Sequence, residues 1–416
     1  MNLELQKSKI VNHQSSIKIT GSKSETNRLL LLQALYPNIE LENVSKSDDS
    51  EVMLLALTQN LQLSTYNLID VHHAGTAMRF LTAYFAIQQN KEIILTGSSR
   101  MKDRPIGIVV DALNQLGADV SYKGKKGFPP LKINGKKLIK NKVSLSANVS
   151  SQYISALLLI APKLENGLEL TLEGEITSVP YINMTLALLN EIGVKTSFEN
   201  NTIKVNHQPS IINRQRITIE SDWSSASYWY SIVALSPART KIKLSSFKEN
   251  SLQGDSVLIE IYKNFGVQTS FGNNEIILEK SNYYHQSVIL DLSKSPDIAQ
   301  TIVVTSFALG LGCRLNGLHT LKIKETDRLE ALRKELTKLG AMILTNDSGL
   351  ILAPSTRIKD NISIKTYQDH RMAMAFAPLA LKTNLIIEDA EVVSKSYPTF
   401  WEDLKQVGFQ IEEFNA

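Results

Sequence analysis

The sequence predicts an α/β protein assembled from six repeated units. Three observations predict it: the length, a glycine that recurs after amphipathic helix ends, and a polar residue that recurs in constant phase at helix starts. The chain has 416 residues, more than one hydrophobic core commonly organises, so two or three domains are expected. Hydrophobic residues make up 43% and charged residues 21%, a globular balance that excludes disordered, collagen-like and fibrous classes.

The glycine signal occurs five times, at Gly117, Gly193, Gly266, Gly340 and Gly408, spaced 76, 73, 74 and 68 residues apart. Each follows the last apolar residue of a helical stretch and precedes a β-rich one, as in Leu189 to Thr196 and Leu336 to Ile343. Glycine is suited to this place because a left-handed helix cap penalises a Cβ. Asn60, after Leu57, is expected to be a sixth copy. The polar signal is Thr76, Ser150, Ser224, Asp297 and His370, at intervals of 74, 74, 73 and 73, with Ser24 opening a shorter first unit. Six units of about 69 residues then account for the chain.

Each unit reads as strand, helix, strand, helix and hairpin. In unit one, Ser22 and Glu25 stand at capping-box spacing before the apolar run Leu29 to Leu32. Unit two opens at Ala74, Gly75 and Thr76, and its strand Ile93 to Thr96 leads into the basic loop Arg100 to Pro105. Unit three opens at Ser150, Ser151 and Gln152 and ends in a hairpin over Thr196 to Val205; unit four carries the matching hairpin, Thr269 to Leu278. In unit five, Asp297 follows Pro296, and a second helix begins at Lys324 with Leu329, Leu332, Leu336 and Leu339 on its buried face. Unit six places Asp369, His370 and Arg371 ahead of Met372 to Phe376, with Lys395 in a late turn.

Six units divide into two sets of three. The polar segment Asn206 to Arg216, with Pro209, is the expected hinge. A lone strand, Ser16 to Thr20, is expected to complete the other lobe. The lobes are therefore expected to be 20–216, and 1–19 with 217–416.

A single cysteine, Cys313, excludes an internal disulfide and a multi-thiolate zinc site and points to a reducing compartment. Met1 to Val11 has no apolar leader, and the longest apolar run, Ile154 to Pro162, is too short for a membrane span. We expect a cytoplasmic protein with no membrane partner. A net charge of +4 is too small over this length to demand nucleic acid. The histidines lack metal-ligand spacing, His72 and His73 being adjacent and expected on opposite sides of a strand. No metal and no cofactor are expected.

A helix start exposes N–H groups and a partial positive charge, so small polar residues and cations placed there form an anion pocket. Lys23 and Ser24 lie in a first turn, with Arg28 one turn on. Lys324 and Arg328 align at i, i+4 around Glu325. Ser178 and Tyr181 flank Pro180 with hydroxyl groups. Taken singly, each cluster is equally an ordinary capped helix with solvated charges; the repetition in phase is what makes them chemical candidates.

Read in order, Gly21-Ser-Lys-Ser-x-Thr-Asn-Arg28, Ala74-Gly-Thr-Ala-Met-Arg79, Arg100-Met-Lys-Asp-Arg-Pro-Ile106, Ser150-Ser-Gln-Tyr153, Ser251-Leu-Gln-Gly-Asp255, Lys324-Glu-Thr-Asp-Arg328 and Asp369-His-Arg-Met-Ala373 form a collinear set. It resembles the 5-enolpyruvylshikimate-3-phosphate synthase family, the 3-phosphoshikimate 1-carboxyvinyltransferases, over nearly the whole chain. The resemblance implies two inside-out α/β barrel-like domains, each of three βαβαββ-type units, with the active site in the cleft between them. It implies that shikimate 3-phosphate meets Lys23, Ser24, Arg28, Ser150, Ser151, Gln152, Ser178, Tyr181, Asp297 and Lys324. Phosphoenolpyruvate would meet Lys23, Gly75, Arg100, Gln152, Arg328, Arg371 and Lys395. The chemistry implied is addition and elimination at the enol carbon, with Asp297 and Glu325 carrying protons and Lys23 assisting, in a monomer. The seven cations of this set, less Asp297 and Glu325, leave a net +5, close to the magnitude of the roughly −5 to −6 of two phosphates and two carboxylates.

Four positions depart from the family's common pattern: His73, Phe80, Val179 and Thr320. Two other readings stand beside this one. The sister enolpyruvyl transferase acting on UDP-N-acetylglucosamine typically carries a reactive cysteine in its first half, where this chain has none. A non-catalytic binder of phosphorylated metabolites or nucleic acid would use the same pockets, yet gains nothing from Asp297 and Glu325.

Overall fold

The computed structural model describes residues 1–10, 14–59, 67–146, 150–174, 176, 179–211, 213–281 and 286–414. The chain forms two compact units, Ser22–Ile219 and a second made of Met1–Gly21 with Glu220–Ala416. Each has its own hydrophobic core.

In both units helices fill the interior. In the first unit they are Lys23–Leu35, Gly75–Ala86 and Ser151–Ile160; in the second, Trp223–Leu235, Ala299–Ala308 and His370–Phe376. Every residue of Gly75–Ala86, Ala299–Ala308 and His370–Phe376 is buried. These helices are largely apolar all round and have no broad polar face to offer water. Several hydroxyls inside are satisfied locally: Thr305 Oγ1 donates to Ser231 Oγ at 2.8 Å, and Ser227 Oγ lies 3.0 Å from Thr301 Oγ1.

Five sheets share one wiring. In the first unit, Asn67–Asp70 runs parallel to Glu92–Thr96, which pairs antiparallel with Leu131–Asn134 and that in turn with Asp119–Tyr122. Lys142–Ser146, Leu168–Glu173, Thr202–Val205 and Thr196–Glu199 repeat the order. In the second unit Val288–Asp291 begins one such sheet. Another begins with Ile362–Ile364 and borrows the N-terminal strand Asn2–Gln6 for its third place. The expected units of strand, helix, strand, helix and hairpin are therefore present. The strands of each unit lie in three separate sheets, and no closed barrel joins them among the described residues.

All five glycines of the repeat sit just past their helices with φ between +73° and +108°, the left-handed caps that the spacing predicts. Asn60 lies outside the described residues. The Thr196–Val205 hairpin turns through Asn200 and Asn201, both at positive φ.

The strand expected at Ser16 to Thr20 lies at Gln14–Ile17, shares the N-terminal segment with Asn2–Gln6, and pairs parallel with Lys241–Ser245, completing a sheet of the second unit. Gln215–Thr218 pairs parallel with Ile39–Glu42 of the first. The segment Asn206 to Arg216, expected as a hinge, leads into that strand pairing. That segment is docked on the first unit: Gln208 N donates to the Pro162 carbonyl at 2.8 Å, and Gln215 N to the Asn38 carbonyl at 3.0 Å. Its polar side chains mimic a linker, but its backbone is bonded, and the chain leaves the unit only after Ile219. Gly21 and Ser221 form an antiparallel bridge at the two crossings.

Candidate active site

The helix starts of the Ser22–Ile219 unit carry one group of candidates. Ser22 caps Lys23–Leu35, its Oγ accepting from Glu25 N at 3.5 Å. Lys23 Nζ lies 3.8 Å from the Asp49 carboxylate, and Ser24 is partly exposed. Arg28 is buried to 2% exposure. Its Nε donates to Thr185 Oγ1 at 2.8 Å, Nη1 to the Ser24 carbonyl at 2.7 Å and Nη2 to Ser155 Oγ at 3.0 Å. Its carbon lies 5.5 Å from the Phe80 ring centre and 5.9 Å from that of Tyr181. No carboxylate among the described residues is within ion-pair distance of it. Burial, against the pull of Tyr181 and Glu25, holds its pKa down at about 10. A buried cation with neutral partners is costly to the fold and favours an incoming anion.

Ser150 caps Ser151–Ile160, accepting from Gln152 N at 3.4 Å, and Gln152 Nε2 donates to Thr76 Oγ1 at 3.1 Å. The second and third repeats thus meet at their helix starts, through Thr76 and Gln152. Ser151 is buried; Tyr181 is half-buried, and its carbonyl accepts from Thr185 Oγ1 at 2.9 Å. Ser178 lies outside the described residues.

Gly75 begins the helix Gly75–Ala86. A Cβ there would stand 2.6 Å from Arg104 Nη1, so the absence of a side chain is what lets that guanidinium lie on the helix start. Arg100 is exposed on the helical turn Ser99–Lys102. The loop carries two arginines four residues apart, and composition alone does not choose between them; packing against Gly75 singles out Arg104. His72 and His73 lie in the turn after Asn67–Asp70 rather than within a strand.

The second group belongs to the other unit and centres on Arg328, 2% exposed. Its Nε donates to Asp369 Oδ2 at 2.6 Å, Nη1 to Asp297 Oδ1 at 2.9 Å and Nη2 to Glu325 Oε2 at 2.8 Å. Burial works against its charge, but the three carboxylates outweigh it and raise its pKa. Asp297 also faces Arg371 Nη2 at 3.3 Å and Lys324 Nζ at 3.8 Å. For Lys324, attraction to Asp297 holds the proton, while burial with Arg328 and Arg371 prevails and lowers its pKa.

Asp369 caps His370–Phe376 by accepting from Arg371 N at 2.9 Å. The turn before it holds Tyr367 and Gln368 at φ of +54° and +56°, a conformation that side chains adopt only when the surroundings enforce it. Tyr367 Oη donates to Glu335 Oε1 at 2.6 Å, and the Gln368 carbonyl accepts from Lys395 Nζ at 2.8 Å. The sequence count of charges missed Asp49 and the ion-pairing role of Asp369. Both were visible as acidic residues, but only the fold brings them to Lys23 and Arg328, so the cations offer less uncompensated charge than +5.

The comparisons with known proteins agree with one another. The sequence model of EPSP synthase (3-phosphoshikimate 1-carboxyvinyltransferase) matches residues 58–404. The chain belongs to the EPSP synthase family. It is 45% identical over 404 residues to a Bacteroides fragilis protein named 3-phosphoshikimate 1-carboxyvinyltransferase, covering 96% of both chains. A Haemophilus influenzae protein of the same name is 35% identical over 421 residues, with 95% of this chain and 96% of the relative covered. Among solved structures, the EPSP synthase of Acinetobacter baumannii superposes with a TM-score of 0.82 at 20% identity, covering 99% of this chain and all of that one. The enolpyruvyl transferase NikO of Streptomyces tendae superposes with 0.74 at 13% identity, covering 100% of this chain and 99% of that one. The two structural likenesses establish the fold.

Within this EPSP synthase family member the unusual positions have definite surroundings. Phe80 is fully buried beneath Arg28. His73 Nδ1 is 2.9 Å from Ser98 Oγ. Val179 opens the helix Val179–Glu191. Thr320 Oγ1 is buried with no hydrogen-bond partner among the described residues. No helix of the described residues is long and apolar enough to cross a membrane.

Proposed function

We propose that the chain transfers the enolpyruvyl group of phosphoenolpyruvate to the 5-hydroxyl of shikimate 3-phosphate, releasing phosphate, as a cytoplasmic monomer that engages no nucleic acid. Arg28, Ser24, Lys23, Ser150, Ser151, Gln152, Ser178 and Tyr181 take shikimate 3-phosphate, with Asp297 and Lys324 from the other unit. Phosphoenolpyruvate is taken by Lys23, Gly75, Arg100, Gln152, Arg328, Arg371 and Lys395, and Arg104 joins them through its place against Gly75.

The 5-hydroxyl oxygen bonds to the enol carbon while its proton passes to Asp297, and Glu325 protonates the methylene carbon to give a methyl group. In the second half the carbon–oxygen bond to phosphate breaks, and the methyl group returns a proton to restore the double bond. Lys23 assists proton transfer, and the cations stabilise the phosphate and carboxylate charge of the tetrahedral intermediate.

Asp297 carries the reading. Its carboxylate stands at a helix start with Lys324, Arg328 and Arg371 upon it, and Glu325 is held by the same Arg328. A trap for anions would have no use for two carboxylates there. The sister reaction on a UDP-amino sugar is disfavoured by Cys313, 4% exposed in the strand Cys313–Asn316, whose thiol burial pushes up to about 12.

The test is phosphate release by purified protein given phosphoenolpyruvate with shikimate 3-phosphate or with UDP-N-acetylglucosamine. Release only with the shikimate substrate is expected, and Asp297→Ala should abolish it while both ligands still bind. Release only with the sugar nucleotide, or near-normal turnover by the variant, would overturn the proposal.

A further inference from the structure

Ser224 is a member of the recurring polar series at the helix starts for which the family resemblance supplies no role. It lies in the first turn of Trp223–Leu235, a helix in which every other residue is buried; Ser224 alone keeps partial access to solvent. Its hydroxyl donates to Asp255 Oδ2, and Asp255 is itself 4% exposed. With its hydrogen committed to that carboxyl, the hydroxyl oxygen turns a lone pair outward. Arg371 Nη2 donates to it at 3.3 Å.

The same nitrogen of Arg371 is 3.3 Å from Asp297 Oδ2. Arg371 is thus held between two acceptors, a hydroxyl from one inner-helix start and a carboxylate from another, while Asp369 fixes its backbone. We infer that Ser224 is a positioning residue for Arg371, dividing the guanidinium between itself and Asp297 so that the fork stays set for the anionic end of the enol substrate. The inference rests on the reading of Arg371 given above. The physical reason is competition: without the hydroxyl, Nη2 loses the acceptor that competes with Asp297 and is drawn onto that carboxylate, which neutralises the cation that the ligand needs. It also moves the carboxylate assigned to the attacking hydroxyl.

The experiment is steady-state kinetics of Ser224→Ala and Ser224→Thr, each with and without Arg371→Met, with melting temperatures measured alongside. Loss of one hydrogen bond to a charged donor predicts that Ser224→Ala raises KM for phosphoenolpyruvate about 5- to 30-fold. KM for shikimate 3-phosphate should stay within about twofold, and the melting temperature should fall only modestly, because Asp255 loses the hydrogen bond that Ser224 donates. Thr keeps the hydroxyl, as Thr76 does at this phase in the second repeat, and should restore most of the affinity. In the Arg371→Met background Ser224→Ala should add nothing further. If Arg371→Met raises KM for phosphoenolpyruvate and Ser224→Ala does not, or if Ser224→Ala raises both KM values equally or adds fully to Arg371→Met, the positioning role is overturned while the site reading stands. If Arg371→Met itself leaves phosphoenolpyruvate saturation unchanged, the assignment of Arg371 fails and takes this inference with it.

Discussion

Arg328 and Asp369 form an ion pair with almost no access to water: Nε and Oδ2 are 2.6 Å apart, and their side chains are 2% and 0% exposed. Asp369 has a second task, since its Oδ1 caps the helix that carries Arg371. The two roles are separable. Asp369→Asn keeps a side-chain acceptor for the cap but removes the charge, and should cost about 1–3 kcal/mol of stability. Arg328 retains Glu325 and Asp297, which limits the loss. Asp369→Ala also loses the cap and should cost about 1 kcal/mol more. Chemical denaturation of both variants checks this; equal losses would show that capping contributes nothing.

Arg28→Met separates stability from function. Thr185 Oγ1 and Ser155 Oγ, which accept from Arg28, are also 2.9 Å from each other, and Thr185 Oγ1 donates to the Tyr181 carbonyl. Removing the guanidinium therefore leaves these hydroxyls paired while relieving the burial of a charge without an ion partner. The variant should be as stable as the parent, or more stable by about 1–2 kcal/mol. Its affinity for shikimate 3-phosphate should fall by about 100-fold or more. Calorimetric titration and thermal melts together decide it, and a destabilised variant with normal affinity would contradict both halves.

Much of the fold and of the candidate site is legible in the sequence. The glycine spacing gave the five left-handed caps because only a narrow set of residues tolerates positive φ, and the phase of Thr76, Ser150, Ser224, Asp297 and His370 gave the starts of the inner helices. Local chemistry fixes such features. Asn206 to Arg216 has the composition of a linker, yet its backbone bonds to Pro162 and Asn38, a fact of tertiary pairing that composition does not carry. Arg104 shares one basic loop with Arg100, and only its contact with Gly75, made across distant sequence, draws notice to it. Asp49 and Asp369 escaped the charge balance for the same reason, since which cation a carboxylate meets depends on segments distant in sequence.

Gly75→Ala tests the Arg104 contact. Gly75 stands at a helix start without positive φ, so alanine costs the backbone nothing and the helix gains slightly. The methyl group would nevertheless occupy space 2.6 Å from Arg104 Nη1, and the flexible arginine must withdraw. We expect an unchanged melting temperature and a KM for phosphoenolpyruvate raised about 5- to 50-fold, with shikimate 3-phosphate affected far less. A variant with unchanged kinetics would remove Arg104 from the site.

Asp255 supplies a pH signature of the second unit. Burial and the neighbouring Asp297, with Asp222 adding to them, push its carboxyl up to about 7, against the pull of Arg371 and the Ser224 hydrogen bond. An unfolded aspartate titrates near 3.9, so between these values the folded state holds the proton that the unfolded state releases. The stability contributed by Asp255 is therefore complete below about pH 4 and is lost as pH rises through about 7. Asp255→Asn resembles the neutral acid, accepts from Ser224 in the same way and does not ionise. Its stability relative to the parent should climb from pH 4 to 7 by on the order of a few kcal/mol and level off above. Denaturation midpoints of the two proteins across this range measure the difference directly, and parallel curves would mean that Asp255 stays ionised throughout, with Arg371 compensating its burial in full.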